Sequence, residues 1–188
     1  EDALSEWCST YPRRCTDDQV WAYDPQRIID TLVPISGFGP GYVSTYSFPR
    51  GHTKDDSIPH IDTLFFDWDI PKSGEYGRPS GPEDADLLAW YRDMKTLLNI
   101  LSDIAKALIA AGMDQHFRFS LSGHKGVHMF LDFPALRPDL GSQDDYKDGL
   151  RTFVSKYVAS LESELGYSVT EYLDVDSSDL GRLTRLPN

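Results

Sequence analysis

The stretch IDTLFFDWDI, residues 61–70, decides the fold because it is the most hydrophobic run of the chain and is typical of a buried β-strand. Two aspartates, Asp67 and Asp69, lie near its C-terminal end, where a charged carboxylate is costly unless another group balances it. Side chains alternate across a strand, so the two carboxylates share one face, about 6.6 Å apart along the strand. The other face carries the residues expected to pack against helices: Leu64, Phe66, Trp68 and Ile70.

From residue 61 the hydrophobic pattern predicts regular elements in the order β-α-β-β-α-β. These are a strand at 61–70, a helix at 84–112, strands at 116–122 and 127–133, a helix at 143–166 and a strand at 168–175. The order is that of the split βαβ, or ferredoxin-like, arrangement. Right-handed crossovers place the last strand beside the first, the first beside the third, and the second at the far edge. We therefore expect an α+β, ferredoxin-like (RRM-like) core at residues 61–188.

The helices of this core are expected to cover one face of the sheet, with the other face open or covered by the N-terminal segment. The apolar positions of the first long helix follow helical spacing and predict its buried stripe. They are Leu87, Leu88, Tyr91, Met94, Leu98, Leu101, Ile104, Ala105 and Leu108.

Residues 1–60 are rich in Pro and Gly and are expected to form an α/β appendage packed on the core. A short helix is predicted from Asp24-Pro25 to Leu32, because Asp caps helices and Pro suits their first position. The alternating run YVSTYSF, residues 42–48, predicts a strand. The chain begins with Glu1 rather than Met, and we interpret it as a fragment of a longer protein.

Three interpretations stay open for Cys8 and Cys15, which have six residues between them. They are two ordinary thiols, one disulfide, or an improvised metal site with His52 and His60.

The net charge of −12 over 188 residues gives no general electrostatic attraction to nucleic acid. Asp far outnumbers Glu, and Arg outnumbers Lys, a bias that suits a protein of a high-salt cytoplasm. Under that interpretation local basic clusters indicate the partner better than net charge does. No apolar run approaches the roughly 18 residues of a membrane span, so we expect a cytoplasmic protein with no membrane partner.

The expected strand order brings further polar side chains to Asp67 and Asp69. The last strand ends in YLDVD, so Asp174 or Asp176 arrives beside the first strand, and His128 of the third strand faces the same surface. Carboxylates that converge in this way suit divalent cations such as Mg²⁺, and two such ions can clamp the attacking and leaving oxygens of phosphoryl transfer. A solvated strand end is the alternative interpretation of an isolated Asp-x-Asp.

The segment SLSGHKGVH joins the predicted second and third strands. Gly123 and Gly126 allow the backbone to approach an anion closely. Lys125 adds a positive charge, Ser122 a hydroxyl and His128 a ring donor. The segment predicts a cradle for a nucleoside triphosphate, and an ordinary hairpin is the alternative.

The run DLGRLTRLPN carries Arg182 and Arg185, which are three residues apart and face one way if they lie on a short helical turn. In an acidic chain they form a local positive patch that suits triphosphate or template phosphates. The alternative is a structural arginine pair that neutralises Asp179.

Taken in order, FFDWDI, SGHKGVH and RLTRLPN resemble the three motifs of the archaeo-eukaryotic primase superfamily. That group includes the small catalytic subunit of DNA primase and the primase-polymerases of plasmids and viruses. The resemblance spans residues 61–188, and the composition adds a haloarchaeal-like character. It implies a template-dependent nucleotidyltransferase, in which a 3′-hydroxyl attacks the α-phosphate of a nucleotide and pyrophosphate leaves.

The resemblance also implies roles for individual residues. Asp67, Asp69 and Asp174 would be the catalytic acids that hold two Mg²⁺ or Mn²⁺ ions, with Asp176 as the other option for the third ligand. The implied nucleotide-binding residues are Ser122, Gly123, Lys125, Gly126, His128, Arg182 and Arg185. The implied partners are a single-stranded DNA template, nucleoside triphosphates, and a helicase or primase large subunit.

Two other classes of function stay open. A metal-dependent nuclease would use the same acids without a triphosphate cradle. A non-catalytic replication-initiator or nucleic-acid-binding domain would place aromatic side chains on the open sheet face and would not need three acids.

Overall fold

The computed structural model describes residues 13–15, 20–35, 38, 41–48, 58–71, 85–122, 125–136, 142–175 and 183–185. For residues 13, 14, 20, 85, 86, 133–136 and 183–185 it describes the backbone alone. Several predictions fall outside the described residues, namely those on Cys8, His52, Gly123, Asp176, Asp179 and Arg182.

The structure has three helices and eight strands among the described residues. The helices are α1 (Pro25–Leu32), α2 (Ala85–Ala110) and α3 (Gln143–Leu165). The strands are β1 (Arg13–Cys15), β2 (Val20–Ala22), β3 (Tyr42–Ser44), β4 (Ile61–Asp69), β5 (Phe117–Leu121), β6 (Gly126–Leu136), β7 (Leu173–Asp174) and β8 (Leu183–Arg185). This content confirms the α+β class.

The chain groups into two compact units, each made of more than one stretch. The first unit comprises Glu1–Leu64, Asp132–Leu150 and Ser178–Asn188, and the second comprises Phe65–Leu131 and Arg151–Ser177. An appendage at 1–60 and a core at 61–188 remain a prediction.

The first unit contains a four-stranded sheet in the order β2-β1-β3-β8. The sequence predicted no strand corresponding to β1 or β2, and the predicted strand at 42–48 ends at Ser44, beyond which Ser47 forms an isolated bridge with His60. Helix α1 is confirmed: the Asp24 carboxylate accepts a hydrogen bond of 2.8 Å from the Arg27 backbone N–H, which caps the helix as expected.

The predicted helical turn at the arginine-containing run is wrong. Residues Leu183–Arg185 form the extended strand β8, which pairs antiparallel with β3 and sets Arg185 opposite Tyr42. The i, i+3 spacing of two arginines fits a turn locally, but backbone hydrogen bonds to a neighbouring strand determine the conformation here.

The other sheet has the order β5-β6-β4-β7, with the elements following one another as β4-α2-β5-β6-α3-β7. This is the strand order expected from the sequence, with the last strand beside the first. The predicted strand at 168–175 is wrong in its first part, because Thr170–Tyr172 form a 3-10 turn and only Leu173–Asp174 form a strand. The two long helices end where expected, each followed by a glycine with φ of 76°, Gly112 and Gly166.

Apolar packing in the second unit follows the alternation of β4. Phe66 and Trp68 are fully buried, and the Phe66 ring lies 5.5 Å from the Tyr157 ring of α3. Burial raises the pKa of Tyr157 to about 12. The face of β4 expected to pack against a helix therefore does so.

The buried stripe of α2 includes the predicted residues Leu101, Ile104 and Leu108 but differs from the prediction nearer the start of the helix. Leu97 and Ile100 are buried, whereas Leu88, Tyr91 and Leu98 are exposed. Spacing alone does not choose between neighbouring stripes of a helix that is apolar over much of its circumference. None of the helices described here is long and apolar enough to cross a membrane.

Candidate active site

Three acids meet at the pair of strands β4 and β7. The register sets Asp67 opposite Asp174 and Trp68 opposite Leu173. Directly opposite residues of an antiparallel pair project from the same face, with Cβ atoms roughly 4.5–5.5 Å apart. Asp69, two residues further along β4, projects from that face as well. The structure thus puts Asp67, Asp69 and Asp174 on one face of this strand pair, with Asp67 and Asp174 directly opposite each other.

A basic group approaches each of the two acids near the end of β4, Asp67 and Asp69. His128 Nε2 lies 3.7 Å from Asp67 Oδ1, and Lys125 Nζ lies 2.6 Å from Asp69 Oδ2. Asp67 and His128 are each only 7% exposed, so water screens any charge on them poorly. A hydrophobic strand tolerates these carboxylates because β6 and the turn before it supply groups that can balance them.

The surroundings of Asp67 are aromatic. The Phe65 ring lies 5.1 Å from the His128 ring and 5.4 Å from the Phe130 ring. Phe65 and Phe130 are both 2% exposed. Of the two expectations for this face, open or covered by the N-terminal segment, the first is therefore wrong around Asp67.

The turn before β6 is joined to the end of β4 by hydrogen bonds. The Ile70 backbone N–H donates to the Lys125 carbonyl at 3.0 Å. The Ser122 backbone N–H donates to the Gly126 carbonyl at 3.0 Å, and the Gly126 N–H donates to Ser122 Oγ at 3.1 Å. These bonds carry Lys125 to the same strand end as Asp69.

Gly126 has a packing role in addition to the predicted nucleotide-binding one. A Cβ atom at this position would collide with Asp69 Oδ1 and with the carbonyl oxygen of Trp68. The absence of a side chain is therefore what allows β6 to approach the end of β4.

Arg118 lies on the acid-bearing face, which is the sheet face of Asp67, Asp69, Asp174 and His128. The sequence analysis did not identify it as a site residue. The register sets Arg118 opposite Phe130 and Ser120 opposite His128, and the guanidinium carbon lies 4.7 Å from the centre of the Phe130 ring. The signal was present, because strand alternation puts Arg118 on the same face as Ser122.

The two arginines near the C-terminus are not placed relative to the acids. Arg185 lies in β8 of the first unit, where its backbone pairs with Tyr42, and its side chain and the whole of Arg182 are outside the described residues. Their role at a triphosphate stays a prediction.

The donor set fits a hard divalent cation in part. Asp67 and Asp174 offer carboxylates across one strand pair, and oxygen ligands are those that Mg²⁺ and Mn²⁺ prefer. Asp69 is engaged by Lys125. Within the part of the chain that the structure describes, no three His, Cys, Asp or Glu side chains are grouped closely enough to hold a metal.

A separate groove of about 340 Å³ lies between α2 and β5, lined by residues that include Leu98, Leu101, Phe119 and Val127. The register places Phe119 and Val127 on the face opposite to that of His128. The groove is therefore distinct from the acid site.

No protein-family model and no curated protein matches the chain. Among solved structures, the polymerase domain of ligase D from Mycobacterium tuberculosis, in complex with DNA, aligns with 79% of this chain at a TM-score of 0.44 and 14% sequence identity. The alignment covers 46% of that protein's chain, so the present chain spans about half its length. A structural similarity of this extent does not support a function, so any functional proposal must be based on the residues of the site.

Proposed function

We propose that the chain is a template-dependent nucleotidyltransferase, a DNA primase or primase-polymerase, whose second sheet belongs to a ferredoxin-like catalytic core. The observation that carries the proposal is the β4–β7 register, which sets Asp174 opposite Asp67 although they are far apart in the sequence. The resemblance of three sequence motifs to the primase superfamily supports the same function.

In this proposal Asp67, Asp69 and Asp174 would hold two Mg²⁺ or Mn²⁺ ions, which would supply charge stabilisation during phosphoryl transfer. The protein contributes the fixed position of the carboxylates. Asp67 lies between the buried residues Phe66 and Trp68, so the packing of β4 restrains its backbone. A preorganised carboxylate loses little freedom when it binds a charged ligand.

Lys125 and His128 have different surroundings and therefore different proposed roles. The Lys125 side chain is 36% exposed and sits on Asp69, so its ammonium is able to balance either the carboxylate or an incoming triphosphate. The His128 ring is held between Phe65 and Asp67 and is nearly inaccessible. The family resemblance implies that His128 neutralises phosphate charge, and its burial beside Asp67 supports orientation of that carboxylate rather than general-base catalysis.

The proposed substrates are nucleoside triphosphates and a single-stranded DNA template. Ser122 and the glycines Gly123 and Gly126 would contribute to the triphosphate cradle. Arg118, Arg182 and Arg185 are the candidate contacts to phosphates, since a guanidinium binds phosphate oxygens in pairs. A helicase or primase large subunit remains a proposed partner.

The buried aromatic rings argue against the non-catalytic alternative. A nucleic-acid-binding sheet stacks bases on exposed aromatic side chains, but Phe65 and Phe130 are each 2% exposed. A metal-dependent nuclease would use the same acids, and the experiment below separates it from a polymerase.

The test is primer extension and de novo priming at high salt with Mg²⁺ or Mn²⁺, using the wild-type chain, Asp67→Asn and Lys125→Ala. The wild type should lengthen the product and Asp67→Asn should not. Lys125→Ala should mainly raise the KM for the nucleotide. Asp114→Asn is the matched control, because Asp114 is an exposed acid in the turn between α2 and β5. Shortening of a labelled substrate by the wild type, with no extension, would replace the proposal with a nuclease.

A further inference from the structure

A single carboxylate orders the chain between α3 and β7. Oε1 of Glu162, in the last turn of α3, accepts hydrogen bonds from Ser168 Oγ at 2.7 Å and the Val169 N–H at 2.7 Å. It also accepts from the Thr170 N–H at 2.9 Å and from Thr170 Oγ1 at 2.7 Å. We call this group of four bonds the Glu162 clamp.

The backbone of Glu162 acts on the same segment. Its carbonyl accepts a hydrogen bond of 2.9 Å from the Gly166 N–H, and Gly166 adopts a φ of 76° that turns the chain out of the helix. The clamp then holds residues 168–170 and the start of the 3-10 turn Thr170–Tyr172. Asp174 lies four residues beyond the last clamped residue.

Strand β7 itself has only the buried Leu173 and two paired residues with which to determine its register. It has two residues, whereas strands in globular proteins usually have at least three. A slip of one residue turns every side chain to the other face of a sheet. Such a slip would direct Asp174 away from Asp67 and place the exposed Val175 on the acid-bearing face.

We propose that Glu162 is a positioning residue of the catalytic site: through the clamp it fixes the register of β7 and so holds Asp174 opposite Asp67. This inference rests on the proposed function only for the role of Asp174 in catalysis. The donors of the clamp are three successive residues, Ser168, Val169 and Thr170. A chain shifted by one residue would bring a different set of three residues to Glu162.

The ionised carboxylate is the form that the clamp binds. The hydrogen bonds from the Thr170 and Ser168 hydroxyls, followed by that from the Val169 N–H, lower the pKa of Glu162 to about 2. Gln at this position keeps an acceptor oxygen but loses the charge, and Ala loses both. The two substitutions therefore grade the strength of the clamp.

The first experiment measures kcat, nucleotide KM and Mn²⁺ affinity for Glu162→Ala and Glu162→Gln at a temperature where circular dichroism shows both folded. We expect kcat to fall about 10- to 100-fold in Glu162→Ala, as for misplacement of a catalytic group, and by less in Glu162→Gln. Mn²⁺ should bind more weakly, while the nucleotide KM should change little because the Ser122–His128 segment is untouched. Glu164→Gln, on the same turn of α3 and exposed, should behave as wild type.

The second experiment reads the register without reference to activity. Cysteines in place of Asp67 and Asp174 have Cα atoms close enough for a disulfide, and peptide mass spectrometry identifies the bond. It should form readily with Glu162 present and several-fold more slowly in Glu162→Ala. Equal rates of bond formation would overturn the positioning role. If the bond depends on Glu162 but the wild type neither binds Mn²⁺ nor extends a primer, the register device stands and the proposed function fails.

Discussion

Strands β4 and β7 each carry an acid of the candidate site, but they are held by different forces. β4 has nine residues, of which all but Asp62 and Asp69 are buried, so Asp67 is positioned by apolar packing on both sides of its strand. β7 has two residues, follows a 3-10 turn and precedes the exposed Val175. The chain just before it is held by hydrogen bonds to Glu162, and its own residue Leu173 is buried. The candidate site thus combines a carboxylate on a long, packed strand with one on a short strand that follows a polar-bonded segment.

The largest effect should come from removing the charge of either acid. Asp67 and Asp174 are expected to be equivalent ligands although different contacts hold their strands. Asp67→Asn and Asp174→Asn should therefore each lower kcat about 10³-fold, because several kcal/mol of transition-state stabilisation are lost. The double variant should be little worse than either single one, because the residues act as a unit. Single-turnover extension measures all three. Near-normal activity of Asp174→Asn would leave β7 outside the site.

The next effect separates packing from polar restraint. Trp68→Ala removes a fully buried ring from β4 and should lower the free energy of unfolding by about 3–5 kcal/mol in urea titrations. Leu88→Ala is the control, because Leu88 is 60% exposed and its loss should cost no more than about 0.5 kcal/mol. Equal losses of unfolding free energy in Trp68→Ala and Leu88→Ala would show that apolar packing does not hold β4.

A smaller effect is expected where β6 meets the end of β4. Gly126→Ala introduces a Cβ against Asp69 and the Trp68 carbonyl, and relief of the collision should cost about 1–3 kcal/mol of unfolding free energy. Activity should also fall, because Asp69 must move. Gly112→Ala serves as the control: it strains a positive φ in open space and should leave activity intact while costing about 1 kcal/mol. Full activity of a folded Gly126→Ala chain would contradict the close approach.

The smallest expected effect is the pH dependence of stability that the Glu162 clamp contributes. The pKa of Glu162 is about 2 in the folded chain, below its ordinary value of 4.5, so the clamp contributes stability that is present above about pH 4.5. This contribution is lost as the pH falls towards 2. Thermal unfolding midpoints should therefore decline less steeply over this range in Glu162→Gln than in the wild type. Parallel pH profiles would show that the clamp does not stabilise the folded state.

The predicted elements that proved accurate are long and periodic. Helices α2 and α3 and strand β4 were located to within two residues at each end, because a repeated apolar pattern is a local property of the chain. Strands β1, β2 and β8 have three residues each, too few to show a period, and they were missed or assigned another conformation. Their pairing partners, rather than their own residues, make them strands.

The sequence by itself determined the α+β class, the order of elements from β4 onwards and the alternation that puts Asp67 and Asp69 on one face, since these depend on local periodicity and on the handedness of crossovers. The sequence placed Asp174 or Asp176 beside this strand, and only the tertiary structure decided that Asp174 stands directly opposite Asp67 and that Phe65 and Phe130 are buried around the site. It also decided that Glu162 holds the approach to β7. Register, burial and a carboxylate shared among three later residues depend on contacts between distant parts of the chain, and no local pattern encodes them.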